Sequence, residues 1–187
     1  HRTSRCRCAR HDDDEESSNM IQSDELLAYL EKNGIEVRTF EHPPVHIVEE
    51  SKALRGTIPG LHTKNLFLRD GKKNYFLFVT DEDAAINLKQ LAKKIGARGG
   101  LSFGSPEALM ETLAIRPGAV SVLAVVNDTE RKVKLILDRK LAGATAINCH
   151  PLDNARTTSL SQDAFGKFLA ATGREAVYVD MDDPAPT

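Results

Sequence analysis

Two short polar segments hold most of the residues able to do chemistry in this chain. Gly60-Leu61-His62-Thr63-Lys64-Asn65 runs straight into the apolar Leu66-Phe67-Leu68, and Asn148-Cys149-His150-Pro151-Leu152-Asp153-Asn154 follows the apolar stretch Ala144–Cys149. A lysine and an asparagine at a strand entry lie at the rim of a sheet, where a cation can meet phosphate or a carbonyl oxygen. The second segment collects amide, imidazole and carboxylate groups that orient ligands, and loops at strand ends commonly carry sites. Other chemistries fail on spacing. Cys149 and His150 are neighbours, and in extended backbone neighbours point to opposite faces, so they cannot act as a nucleophile–base pair. Cys149 reads instead as a small buried residue. No Gly-x-Ser-x-Gly elbow is present. His42 and His46 have the spacing of helical zinc ligands, but Pro43 and Pro44 lie between them and forbid the helix. With no Cys-x-x-Cys or His-Glu-x-x-His, no metal site is expected. Ala97-Arg98-Gly99-Gly100 lacks the Lys-Ser/Thr of a phosphate loop and reads as a plain turn.

The elements that must position these residues are legible from periodicity and punctuation. Ser23 before Asp24 and Glu25 predicts a helix start, Leu26, Leu27 and Leu30 its apolar stripe, and Gly34 its stop. Ile35–Phe40 predicts a strand broken by His42-Pro43-Pro44, and a short helix follows over 48–54. Leu66–Leu68 and Tyr75–Val79 flank Asp70-Gly71, which predicts a hairpin with a type I′-like turn. Asn87 and Ser105-Pro106 announce two further helices, the first ending at Gly96. Val120–Val126 and Val133–Leu137 read as apolar strands joined at Asn127-Asp128. Ser161 caps a last helix stopped by Gly173, and Ala176–Val179 closes as a strand. Helices interleaved with hairpins imply a mixed α/β (α+β) fold, with a mostly antiparallel sheet surrounded by helices.

Composition bounds the rest. The 187 residues carry 25 basic and 27 acidic side chains and 41% hydrophobic residues, which suits one domain of ordinary size and excludes collagen-like and disordered classes. A net charge of −2 leaves no global basic field for non-specific DNA binding, so any nucleic-acid contact must come from a local patch. No apolar run approaches a membrane span. Residues 1–19 hold four arginines and an acidic run but no leucine, isoleucine, valine or aromatic, and read as a disordered extension. They contain no apolar core of a signal peptide, so a reducing cytoplasm is the expected setting. The folded unit is expected over 20–183, with 184–187 as a frayed tail.

Taken together, HPPVHIVEES, GLHTKNLFLRD, RGGLSFGSPEALMETLAIRPGAVSVLAVVNDTE, LILDRKL and NCHPLDNARTTSLS resemble the YbaK/prolyl-tRNA synthetase editing-domain superfamily, most of all its free-standing Ala-tRNA(Pro) deacylases. The resemblance spans roughly residues 22–182. It implies a small curved sheet or partial barrel, hydrolysis in trans of the ester linking a wrong amino acid to tRNA, and no metal or organic cofactor. Prolyl-tRNA synthetase is the partner it suggests. Carried over residue by residue, the family lysine falls on Lys64, its asparagine on Asn65 and its histidine on His150. The family's Gly-x-x-x-Pro loop falls on Gly118-Ala119-Val120-Ser121-Val122, and Val122 stands where many relatives have proline.

Ester hydrolysis asks for a positioned water and for donors to a developing oxyanion, and backbone amides of the Gly118–Ser121 bend are candidate donors. The expectation is that Lys64 and His150 open onto one cleft beside that bend. Pocket walls that exclude a larger side chain are expected around Phe67, Val120 and Leu123, with Ala119 adjoining. Lys89, Lys93 and Lys94 are candidates for acceptor-stem phosphates, with Arg98 near them and Lys72 and Lys73 on the hairpin turn. Two other outcomes stay open: deacylation of a different mischarged tRNA such as Cys-tRNA(Pro), and a non-catalytic aminoacyl-tRNA binder.

Overall fold

The computed structural model describes residues 21–42 and 58–182. The expected helix over 48–54, His46, and both chain ends lie outside the described residues. One eight-stranded sheet organises what remains, in the order β1 (Val37–Glu41), β7 (Arg156–Ser161), β6 (Ala146–Cys149), β2 (Leu61–Asp70), β3 (Tyr75–Asp81), β5 (Val133–Asp138), β8 (Val177–Val179). β4 (Leu101–Phe103) pairs with the end of β2. The pairs β1–β7, β6–β7, β2–β3 and β2–β4 are antiparallel, whereas β2–β6, β3–β5 and β5–β8 are parallel. The fold is therefore mixed α/β as expected, with more parallel pairing than hairpin counting implied.

Each sheet face buries its own core. Leu26 and Leu30 of α1 (Ser23–Lys32), Leu109 and Leu113 of α3 (Pro106–Leu113), and Phe165 and Phe168 of α4 (Gln162–Ala171) pack on one face with Phe67, Leu77, Val79, Ile147 and Cys149. Leu91 of α2 (Leu88–Ile95) packs on the other with Leu68, Phe76, Phe78 and Ile136. The period-two alternation of β2 and β3 supplies both cores from the same strands.

Three helix starts form as expected. Asn87 accepts from the amides of Lys89 and Gln90 at 3.0 and 3.2 Å, while Ser105 and Ser161 accept from the amides of Ala108 and Ala164 at 3.1 Å each. Ser23 does not cap: α1 starts on it, with Gln22 at the cap position and no side-chain cap bond.

Other expectations change. Val120–Val126 is not a strand; Val122–Asn127 forms a buried 3₁₀ helix, its start held by Ser121 Oγ accepting from the Leu123 amide at 3.2 Å. A short buried apolar run cannot show its period, because every face is covered. The strand β7, hidden in polar Arg156–Ser161, pairs on both sides. β2 begins at Leu61, so the His62–Asn65 segment is strand rather than approach loop. The hairpin turn is not of the two-residue type: Asp70 Oδ1 accepts from the amides of Lys72 and Asn74 at 2.9 Å, and Lys73 is the left-handed residue (φ 61°). Gly71 is needed for close approach instead, since an added Cβ would sit 3.0 Å from the Arg98 carbonyl oxygen.

Gly104 fixes a core ring in the same way. A Cβ there would meet the Phe67 ring at 2.4 and 2.5 Å, and that ring is buried and stacked on Tyr75 at 5.3 Å. Gly104→Ala is expected to cost about 1–3 kcal/mol, read as a lower urea midpoint at unchanged slope. An unshifted midpoint would show that the ring has room to move.

Candidate active site

β2 sends its polar residues to opposite faces. Phe67 joins the first core and Leu66 and Leu68 the second, so Asn65 shares the face of Phe67 while His62 and Lys64 share that of Leu66. The Lys64 ammonium donates to the Ala84 carbonyl, at the segment where Ile86 and Leu88 pack on the second core. β6 runs parallel beside it with Leu61 opposite Ile147 and His62 opposite Asn148. Two residues further along each chain lie Lys64, still on β2, and His150, just past the end of β6. Since Ile147 and Cys149 fill the first core, Asn148 and His150 turn to the face of Lys64. Lys64 and His150, 86 positions apart in sequence, thus share one face of the sheet.

His150 is aimed by a backbone bond. Its Nδ1 lies 3.0 Å from the Arg156 carbonyl oxygen, an acceptor, so Nδ1 carries the hydrogen. In the neutral ring the lone pair is then on Nε2. His42 stands beside it with ring centroids 6.5 Å apart, and His42 Nε2 is 2.8 Å from Thr157 Oγ1. His42 and Thr157 were not singled out from the sequence for this surface; the pairing of β1 with β7 brings them there.

Asn148 is also fixed. Its Nδ2 donates to the Pro59 carbonyl at 3.0 Å, whereas its Oδ1 is buried without a hydrogen-bond partner, as is Asn65 Oδ1 on the opposite face. Pro59, Gly60, Ala146 and Ser159 line a groove of about 1060 Å³ that also takes in Arg38 and Phe40.

The loop after His150 is anchored to α1. Ser23 Oγ contacts the Pro151 carbonyl and the Asp153 carboxylate, and the Arg156 guanidinium bridges Ser23, Asp153 and Asp24. Burial alone would raise the Asp153 carboxyl, but bonds from Ser23, Arg156 and the Ala155 amide outweigh it and hold it below the usual carboxylate range. The serine expected to cap α1 is spent on this tie.

The remaining candidates fall elsewhere. Phe67 and Leu123 are core residues, and Val120 packs against the same core. The Gly118 bend (φ 91°) and Ala119 border a second cavity of about 570 Å³ with Arg116, Leu152, Asp153 and Asn154. Ser121 is fully buried, and burial pushes the thiol of Cys149, whose Sγ lies 3.8 Å from the Thr158 carbonyl oxygen, up to about 12. Such a thiol is inert. Val122 takes the first position of the 3₁₀ helix, a place where proline also fits. Lys89 and Lys93 are exposed and Lys94 half-buried on α2, the helix that follows the segment holding Lys64. Among the described residues no group of three or more His, Cys, Asp or Glu side chains is placed to hold a metal ion, and no helix is long and apolar enough to cross a membrane.

Residues 42–168 match the model of the aminoacyl-tRNA editing domain. The chain belongs to that family. Membership makes it an aminoacyl-tRNA deacylase by class, a hydrolase of the ester between amino acid and tRNA. Prolyl-tRNA synthetase associated domain-containing protein 1 of Danio rerio is 37% identical over 84% of this chain and 86% of its own length. The prolyl-tRNA editing protein ProX of Acetoanaerobium sticklandii is 36% identical over 83% of this chain and 95% of its own. In fold the editing domain is similar to a solved structure whose own description suggests a trans-editing enzyme for prolyl tRNA synthetase. That likeness has a TM-score of 0.62 at 19% identity and covers 86% of this chain and 98% of the other.

The anchored loop gives a test. A carboxylate held below its ordinary range stabilises the fold above that range, and the contribution is lost as pH falls through its folded value. Asp153→Asn should therefore cost about 1–3 kcal/mol at pH 7, and the gap to wild type should close toward pH 3. Urea midpoints at the two pH values check this; an equal gap at both would contradict it.

Proposed function

We propose that this editing domain deacylates mischarged tRNA(Pro) in trans, with Ala-tRNA(Pro) as its principal substrate. The observation that carries it is the His150 ring, oriented by the Arg156 carbonyl on the face of the sheet that also carries Lys64. Nε2 takes a proton from a water as that water's oxygen attacks the ester carbonyl carbon. The bond from that carbon to the ribose oxygen then breaks, and the proton passes from Nε2 to the leaving ribose hydroxyl. Lys64 has one donor on Ala84 and two left for a terminal phosphate or the developing oxyanion. No nucleophilic side chain is required, because the aminoacyl ester is already activated.

Gly118 and Ala119 of the bend border a cavity with Leu152, Asp153 and Asn154 of the loop that follows His150. Phe67 and Leu123 lie in the core and Val120 packs against it, so they support the strands rather than meet substrate. The name of the ProX relative supports tRNA(Pro) as the substrate. Discrimination for alanine over proline rests on exclusion by size, since one or two methylenes supply only about 1–3 kcal/mol by attraction.

Release of amino acid from Ala-tRNA(Pro), Pro-tRNA(Pro) and Cys-tRNA(Pro) tests the assignment. Alanine should leave fastest, and Lys64→Ala and His150→Ala should each slow it about 100-fold or more. Near-normal rates in both variants would remove the pair from the chemistry; preferred release of cysteine would move the substrate; protection of every ester would make the chain a binder.

The acceptor stem is assigned to α2. Lys89, Lys93 and Lys94, exchanged together for glutamate, should weaken tRNA binding and flatten its dependence on salt. Unchanged affinity and slope would place the stem elsewhere.

A further inference from the structure

We infer that Asn148 is a substrate-binding residue whose Oδ1 accepts a hydrogen bond from a donor at the aminoacylated 3′ end, either the α-amino group or the neighbouring ribose hydroxyl. The inference rests on the deacylase reading above for its substrate class. Asn148 is 2% exposed, and an amide so buried ordinarily has all its polar atoms paired. Here only half is. Nδ2 donates to Pro59 O at 3.0 Å, which fixes the orientation of the amide, because the reverse would set oxygen against oxygen. Oδ1 is left as an acceptor with no partner.

Its neighbours place Asn148 beside the groove. On β6 it lies between two features of one face: Ala146, two residues back, lines the groove, and His150, two residues on, carries the proposed base. Each step of two residues is about 7 Å. Its cross-strand partner Ser159 and its hydrogen-bond partner Pro59 also line the groove. There Phe40 lies under the Arg38 guanidinium at 5.5 Å, a flat platform of the kind on which an unpaired base stacks. A terminal adenosine in the groove would bring its ribose and the attached amino acid past Asn148 toward His150. Both have donors there, and a buried acceptor without a partner gains most from meeting one.

Binding of 3′-(L-alanylamino)-3′-deoxyadenosine, an amide that cannot be hydrolysed by ester cleavage, is the test, read by isothermal titration. Two derivatives separate the donors: one N-acetylated on the α-amine, one 2′-O-methylated. The wild-type chain should bind one derivative about tenfold or more weaker than the parent. Asn148→Ala, and Asn148→Ser should alanine fail to fold, should bind the parent weaker by a similar factor and lose nothing further on that derivative. Equal wild-type affinity for all three compounds, no measurable binding of any, or a variant that weakens all three alike would each overturn the inference, the last showing a structural role only. A wild-type chain that binds the amide in this pattern yet releases nothing from Ala-tRNA(Pro) would overturn the deacylase assignment while sustaining the role of Asn148.

Discussion

Alternation along one strand governs this molecule. β2 is paired on both edges, with β3 along one side and β6 then β4 along the other, so its register cannot slip without breaking three pairings. Because successive side chains leave on opposite faces, Lys64 and Asn65 part company although they are adjacent in sequence. One goes to the surface shared with His150, the other toward the larger core. A single-residue slip would exchange them and drive an ammonium into apolar surroundings, which is costly enough to forbid it.

The parallel pairing of β2 with β6 is the second half of the same constraint. Parallel neighbours need a long crossover, and here it is most of the chain between residues 61 and 149, with α2, α3 and the 3₁₀ segment inside it. Those intervening elements fill both cores, and the filling fixes the two strands against each other. The polar surface is therefore built on sheet, with only its far end on a loop. That loop is tied to α1 through Ser23, Asp153 and Arg156, so the histidine is held from both sides: by Cys149 in the core and by the anchored turn beyond it.

The competition for Ser23 and the conformation of 122–127 show where local rules gave way. Ser23 has the chemistry of a cap, yet a guanidinium and a carboxylate from β7 and its preceding loop offer its hydroxyl stronger, charge-assisted partners. Ser121, Asn87, Ser105 and Ser161 meet no such rivals among the described residues and hold the starts of their helices. The run Val122–Val125 is apolar on every side because it is buried on every side, which erases the periodic signal that tells helix from strand. β7 was hidden for the opposite reason. Its Arg-Thr-Thr-Ser-Leu-Ser sequence shows no apolar alternation, and its pairing on both edges comes from neighbours distant in sequence.

Sequence alone determined the helix boundaries set by capping side chains and left-handed glycines, the hairpin of β2 and β3, and the two polar segments around Lys64 and His150, because each is written in residues a few positions apart. It also carried the ordered motifs that identify the editing domain. Tertiary structure decided which face each polar residue took, which strands lay parallel, that His42 and Thr157 came beside His150, and that the 118–119 bend met the loop after His150 across a cavity. Those outcomes depend on register and burial between segments more than a hundred residues apart, and no local pattern encodes the energy of a contact whose other half is elsewhere in the chain.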